Sequence, residues 1–164
     1  MQQDLRNQYN NFSKDFSVNQ LVKNHINREE AYKMIAPHLS GLDVLDIGCG
    51  DGTDVAYFQN KRARAIGIYA SEDLIKIARH NHPTLQFNVG YAEKLPYASN
   101  EFDSVYSKYA IMTSENLKPI FSEIHRVLKP GGVMVCLVAH PFRHYIEKKR
   151  IDANYFKKEV VSSV

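Results

Sequence analysis

Residues 44 to 53 read VLDIGCGDGT, and this stretch limits the fold more than any other in the chain. A short apolar run passes at once into glycines 48, 50 and 52, and TDVAYFQN then has the character of a helix. A strand that gives way to a helix through alternate glycines is a unit of parallel α/β structure. The glycines let the backbone turn sharply and come close to a ligand, because no Cβ intervenes. The helix that follows presents amide groups at its start.

The rest of the chain repeats that alternation. Apolar runs predict strands at 43–47, 64–69, 85–89, 104–106 and 133–138, and helical patterns fall at 53–60, 72–81 and 115–128. The last helix is expected to stop at Lys129, Pro130, Gly131 and Gly132. Ahead of the strands, residues 27 to 38 read as a helix with Asn27 as its N-cap and Pro37 near its end. Earlier still, Tyr9, Phe12 and Phe16 are spaced to share one face of a helix. Nearly continuous apolar strands separated by helices argue for a parallel sheet covered on both faces. Ligands of such sheets sit beyond the carboxyl ends of the strands.

At 164 residues the chain suits one domain. It divides into an amino-terminal helical cap (1–40), a ligand-binding core (41–140) and a short tail (141–164). The longest apolar run, 133 to 139, is too short to cross a bilayer, and MQQDLRNQYNNF has no apolar signal region, so no membrane partner and a cytoplasmic location are expected. The net charge of +3 is scattered except in EKKR at 147–150, which reads as a solvated helix face rather than a nucleic-acid groove. Cys49 and Cys136 lie in apolar or glycine-rich surroundings and read as reduced, small hydrophobes. No cysteine spacing of the CxxC type suggests a metal.

The spacing of the glycines narrows the ligand. A GxGxxG dinucleotide loop counted from Gly48 would end on Thr53, and the GK-Ser/Thr of a phosphate-binding P-loop is absent. VLDIGCGDG instead resembles the first motif of class I S-adenosylmethionine-dependent methyltransferases, of the type 11-like, small-molecule kind. YAEKLPYASNEFDSVYS, at 91–107, is similar to that family's third-strand exit and fourth strand, and EIHRVLKPGG, at 123–132, to the helix and turn before its fifth strand. The motifs follow the family's order across residues 42–140. The resemblance implies a Rossmann-like, doubly wound, mostly parallel α/β sheet of strand order 3-2-1-4-5. It also implies S-adenosylmethionine as cofactor, S-adenosylhomocysteine as product and a small molecule as methyl acceptor.

Carried over residue by residue, the resemblance places Gly48, Cys49, Gly50 and Gly52 beneath the methionine end of the cofactor, with Asp46 facing its amino group. Tyr69 and Ala70 fall beside the ribose, Tyr91, Ala92 and Glu93 beside the adenine, and Ser107, with Tyr109 or Ala110, along the cleft. Two positions depart from the family. Tyr69 stands where an Asp or Glu usually accepts the ribose hydroxyls, and Tyr91 where an Asp usually lies beside the adenine amino group. A phenol offers one oxygen and no charge at neutral pH. Since hydrogen bonds to charged groups contribute about 1.5–3 kcal/mol, loss of the ribose contact alone weakens binding roughly ten- to a hundredfold. Glu72, Asp73 and Glu93 are the nearby carboxylates that could compensate.

No catalytic residue is identified. His140, just past the fifth strand, and Tyr9, on the first helix, are the candidates for a general base, while His125 reads as a surface or packing residue. Family sheets usually continue with two more strands, and residues 141–164 leave no room for them. The fifth strand is then an apolar edge. The terminal EVVSSV, at 159–164, folds back on it, a homodimer or other partner covers it, or the chain is part of a longer protein. The rival to a methyltransferase is a degenerate, non-catalytic domain of the same fold acting as a binding or interaction module. A nicotinamide-dependent oxidoreductase comes third, disfavoured by the glycine spacing.

Overall fold

The computed structural model of the chain describes residues 25–139. The expected stripe of Tyr9, Phe12 and Phe16, His140, the EKKR run and EVVSSV lie outside them. Strands β1 (Asp43–Ile47), β2 (Arg64–Tyr69), β3 (Gln86–Val89), β4 (Phe102–Lys108) and β5 (Leu128–Leu137) form one sheet in the order β3-β2-β1-β4-β5. All neighbouring pairs are parallel. Helices α1 (His25–Ile35), α2 (Thr53–Asn60), α3 (Glu72–Asn81) and α4 (Leu117–Val127) complete the Rossmann-like, doubly wound architecture that the motifs imply. No helix among the described residues is long and apolar enough to cross a membrane.

Alternation along the strands divides the core into two layers. On one face Val44, Ala65, Tyr106 and Val135 pack with Ala31 and Ile35 of α1, Val55 and Phe58 of α2, and Ile75 and Ala78 of α3. On the other, Leu45, Ile47, Ile68 and Val105 meet Ile120, Ile124 and Val127 of α4. The first face also carries aromatic contacts that seat α1 on α2. The Tyr32 and Tyr57 rings stack in parallel with centroids 3.6 Å apart, and Phe58 meets Tyr106 edge-on at 5.0 Å.

Three elements differ most from expectation. Helix α1 is already under way at Asn27, so that residue is not its cap, and the α-helix gives way at Ile35 to a 3-10 turn, Ala36–His38, that holds Pro37. Strand β4 extends well beyond 104–106 because its polar residues find partners. Asp103 accepts from Lys129 and the Asp43 amide, Ser104 donates to the His38 carbonyl, and Ser107 donates to the Ile47 carbonyl. The helix stop before KPGG is right at Val127, but the segment begins a strand instead of a turn. Phe102 pairs with Leu128 and Ser104 with Val133, so the intervening residues bulge. Gly131, at φ +79°, supplies the left-handed backbone this bulge needs. On its outer side β5 pairs with no strand among the described residues.

The motif residues of α4 and the bulge also act as fasteners. Arg126 donates to the Leu95 and Tyr97 carbonyls and pairs with Glu123, which in turn accepts the Leu95 amide, so α4 holds the loop between β3 and β4. Lys129 bridges Asp43 and Asp103 at 2.9 Å each, while Arg64 reaches Asp43 at 2.6 Å. These ion pairs draw together the amino-terminal ends of β1, β2, β4 and β5.

The hydrogen bond from Arg64, aided by Lys129, holds Asp43 at about 2, below its ordinary 3.8. For Asp103, burial pulls upward, but the Asp43 amide and Lys129 outweigh it and the net direction is down. A depressed folded-state pKa gives stability that is complete above about pH 4 and lost as the pH falls through about 2. Lys129→Met is therefore expected to lose less stability than wild type between about pH 4 and pH 2, read as a shallower acid limb in urea unfolding. Equal acid limbs would remove Lys129 from that network.

Candidate cofactor site

The glycine loop closes on itself before it can close on anything else. The amides of Gly48 and Cys49 both donate to the Ile68 carbonyl, at 2.8 and 3.2 Å, and the Gly52 amide donates to the Cys49 carbonyl. These bonds tie the exit of β1 to the end of β2. Gly67 leaves the space in β2 over which Cys49 packs, since a Cβ there would lie 2.8 Å from the Cys49 side chain. Gly48 is pressed against Ala110, whose Cβ would be 2.1 Å from any Cβ placed on it. Gly50 is the opposite case, for a Cβ there would meet nothing within 4 Å. Bare backbone beside open space is what close approach of a ligand requires.

The charge around the loop decides which kind of ligand fits. Asp51 accepts both the amide and the hydroxyl of Thr53, so the start of α2 carries its own acidic cap. Asp54, in the first turn, is 7% exposed, and Asp46, at the end of β1, is 1% exposed. A helix start that binds phosphate keeps its amides free and its surroundings positive. Here a phosphate would meet carboxylates at 46, 51 and 54, and the glycine loop suits a cation instead.

Asp54 is the hub of the buried charges. Its Oδ1 accepts from the Tyr32 hydroxyl at 2.5 Å and lies 3.0 Å from Arg28 Nε, and its Oδ2 lies 2.9 Å from Lys108 Nζ. Burial, then the neighbouring Asp54 charge, pushes the Tyr32 phenol far above its ordinary range, so it stays a donor. Asp46 is raised chiefly by burial and next by Asp54, against the pull of Lys108 and Arg28. Its Oδ2 is buried and has no hydrogen-bond partner among the described residues. An acceptor left like this is costly unless something donates to it.

The other sequence-selected residues fall around the same strand ends. Tyr69 ends β2, half-buried, and its carbonyl accepts the Gly90 amide. Ala70 is half-buried, and Ser71 caps α3 by accepting the Leu74 amide. Tyr91, also half-buried, bridges to Lys94, Ala92 packs against the α4 side of the core, and exposed Glu93 accepts from the Ser114 hydroxyl. Asp73 pairs with Lys76 at the surface. Ser107 is fully buried, and its hydroxyl fastens β4 to the Ile47 carbonyl. Tyr109 follows β4 with φ +56°, a left-handed conformation uncommon for a bulky residue, and its amide donates to the Leu137 carbonyl. Burial, chiefly, pushes the Cys49 thiol upward, which suits packing and not nucleophilic work. His125 is exposed on α4. Sequence reading missed Arg28, Tyr32, Asp54 and Lys108, which come from three separate elements. The only local trace was the i, i+4 spacing of Arg28 and Tyr32 on α1.

A family model described as "Methyltransferase domain" matches residues 45–136. The chain belongs to this methyltransferase family. Its fold is that of the class I, S-adenosylmethionine-dependent enzymes. It is 38% identical over 102 residues to an uncharacterized methyltransferase of Synechocystis, covering 61% of this chain and 48% of that protein. It is 34% identical over 116 residues to demethylmenaquinone methyltransferase of Chlorobaculum parvum, covering 70% and 47%. Among solved structures, an S-adenosylmethionine-dependent methyltransferase from Mesorhizobium loti superposes with a TM-score of 0.65 at 28% identity, covering 71% of this chain and 54% of that one. The methyltransferase domain described here spans about half the length of those curated relatives.

The loop glycines separate into two kinds that substitution can tell apart. Gly48→Ala is expected to cost at least about 2 kcal/mol in urea unfolding, from overlap with Ala110 and a strained left-handed backbone. Gly50→Ala meets no atom and should cost about 1 kcal/mol from backbone strain. Equal losses would show that the Ala110 contact does not govern Gly48.

Proposed function

We propose that this chain is the cofactor-binding core of an S-adenosylmethionine-dependent methyltransferase acting on a small molecule. The observation that carries the reading is the Oδ2 of Asp46, buried and without a hydrogen-bond partner among the described residues, in the strand that leads into the open backbone of Gly50. A carboxylate raised by burial and surrounded by further acids calls for a cationic ligand end, and the ammonium of the cofactor's methionine supplies one. When bound, S-adenosylmethionine supplies an activated methyl group on a sulfonium. The chain's own residues bind and orient: Asp46 at the ammonium, Gly50 against the methionine, Tyr69 and Ala70 at the ribose, and Tyr91, Ala92 and Glu93 around the adenine. Relatives named demethylmenaquinone methyltransferase and malonyl-[acyl-carrier protein] O-methyltransferase favour a small or carrier-borne acceptor over a nucleic acid. The sequence candidates for a base, His140 and Tyr9, stay candidates on chemistry alone.

A second reading is favoured by Tyr69 and Tyr91, which replace the usual nucleoside carboxylates. In it the domain keeps the sheet and gives up cofactor binding for an interaction role. Calorimetric titration with S-adenosylmethionine and S-adenosylhomocysteine separates the two. Binding is expected, with affinity falling as the pH is lowered through the titration of Asp46, because a cation favours the ionised carboxylate. In buffers of different ionisation enthalpy the same titration should reveal proton release. Absence of binding at millimolar ligand would sink the enzyme reading.

The tyrosines make a separate prediction. Tyr69→Asp with Tyr91→Asp is expected to tighten cofactor binding at least about tenfold, the value of one charged hydrogen bond. An unchanged dissociation constant would show that these phenols do not stand in for nucleoside ligands.

A further inference from the structure

Among the described residues β3 pairs only with β2, so its other side is an edge of the sheet. The Gly90 amide donates to the Tyr69 carbonyl, and the alternation of a strand then turns the backbone groups of Phe87 and Val89 away from β2. On that outer side the Phe87 carbonyl accepts from Arg79 of α3 at 2.6 Å. Val89 is 40% exposed, one of the few large apolar residues left in water. Such an edge is a template for a further strand. The flank of α3 decides whose strand fits. Glu72, Lys76 and Arg79 are four and three residues apart and share one side of the helix, and the reach of Arg79 shows that this side adjoins the edge. The helix is acidic in its first turn and basic in its last. A flank of that kind is complementary to itself after a half rotation.

We propose that the β3 edge binds a second copy of this chain, strand against strand and antiparallel, about a twofold axis near Asn88. The two sheets then run on as one, with α3 of each copy beside α3 of the other. Phe87 and Val89 exchange backbone hydrogen bonds with Val89 and Phe87 of the second copy. The bond from Arg79 survives this, because a carbonyl oxygen has two lone pairs. Only one nitrogen of the guanidinium is used on Phe87, and the rest of its fork meets Glu72 of the second copy. Lys76 lies nearest the axis, where it would face itself. It is already paired with Asp73 at 3.1 Å, so no bare like charge is set across the axis. Pairing also removes the exposed Val89 from water. The inference goes beyond the cofactor reading and does not depend on it.

The test is sedimentation of the full chain over a range of concentrations, in which a reversible dimer is expected. Val89→Lys, which puts a charge on the edge, should raise the dimer dissociation constant at least about tenfold. Glu72→Arg and Arg79→Glu should each weaken the dimer as well, since each sets like charges together twice across the axis. An equal mixture of those two variants should dimerise better than either alone, because every new charge then meets its opposite. A residue that only supports its own fold cannot produce that rescue. A wild-type chain that stays monomeric at about 0.1 mM overturns the inference. So does a mixture no better than its components, or a dimer that Val89→Lys leaves intact while Met134→Lys, on β5, breaks it. Should Arg79→Glu fail to fold for want of its bond to Phe87, Val89→Lys decides by itself, and a dimer it leaves unchanged overturns the inference.

Discussion

One buried carboxylate, that of Asp54, ties α1 and β4 to α2. It receives groups from α1 and β4 and itself sits on α2, so a single side chain sets the position of two helices relative to the sheet. Removing charges from water is expensive, and a buried ion pair is weak evidence of stability. An apolar residue at 54 would pack α1 with less desolvation. What the charge supplies is direction, since it fixes where a phenol, a guanidinium and an ammonium end up at the first turn of α2. The stacked Tyr32 and Tyr57 rings provide apolar contact beside it.

The glycine loop shows how one backbone device serves different chemistry. A strand, a tight glycine turn and a helix start can receive a phosphate when the helix amides are free. In this chain Asp51 takes the Thr53 amide, the Ile68 carbonyl takes those of Gly48 and Cys49, and Asp46 and Asp54 add negative charge. The same geometry is thereby made a poor receptor for a phosphate. The glycine spacing that argued against dinucleotide and P-loop ligands and the charge that argues for a cation are independent observations, and they agree.

Much of the fold was legible because apolar periodicity is local. β1 and β2 fall where the sequence placed them, as do α2 and α3, since each is a short run bounded by glycine or a capping residue. The KPGG segment misled because a helix stop and the start of a bulged strand use the same residues. Only pairing with Phe102 and Ser104 decides between them. Ser107 illustrates the limit for the site. Its place at the end of β4 was readable, but its burial and its bond to Ile47 depend on how closely β1 and β4 approach.

The sequence by itself determined a parallel α/β sheet, the glycine turn and the carboxylate of Asp46 at the end of β1, because these depend on residues adjacent in the chain. Tertiary structure alone decided that Arg28, Tyr32, Asp54 and Lys108 converge. The Tyr32–Asp54 bond spans 22 residues, and Lys108 reaches the same carboxylate from another strand. No local pattern records such a meeting, since charges on separate elements become neighbours only when packing of the apolar layers brings α1 and α2 down on the sheet.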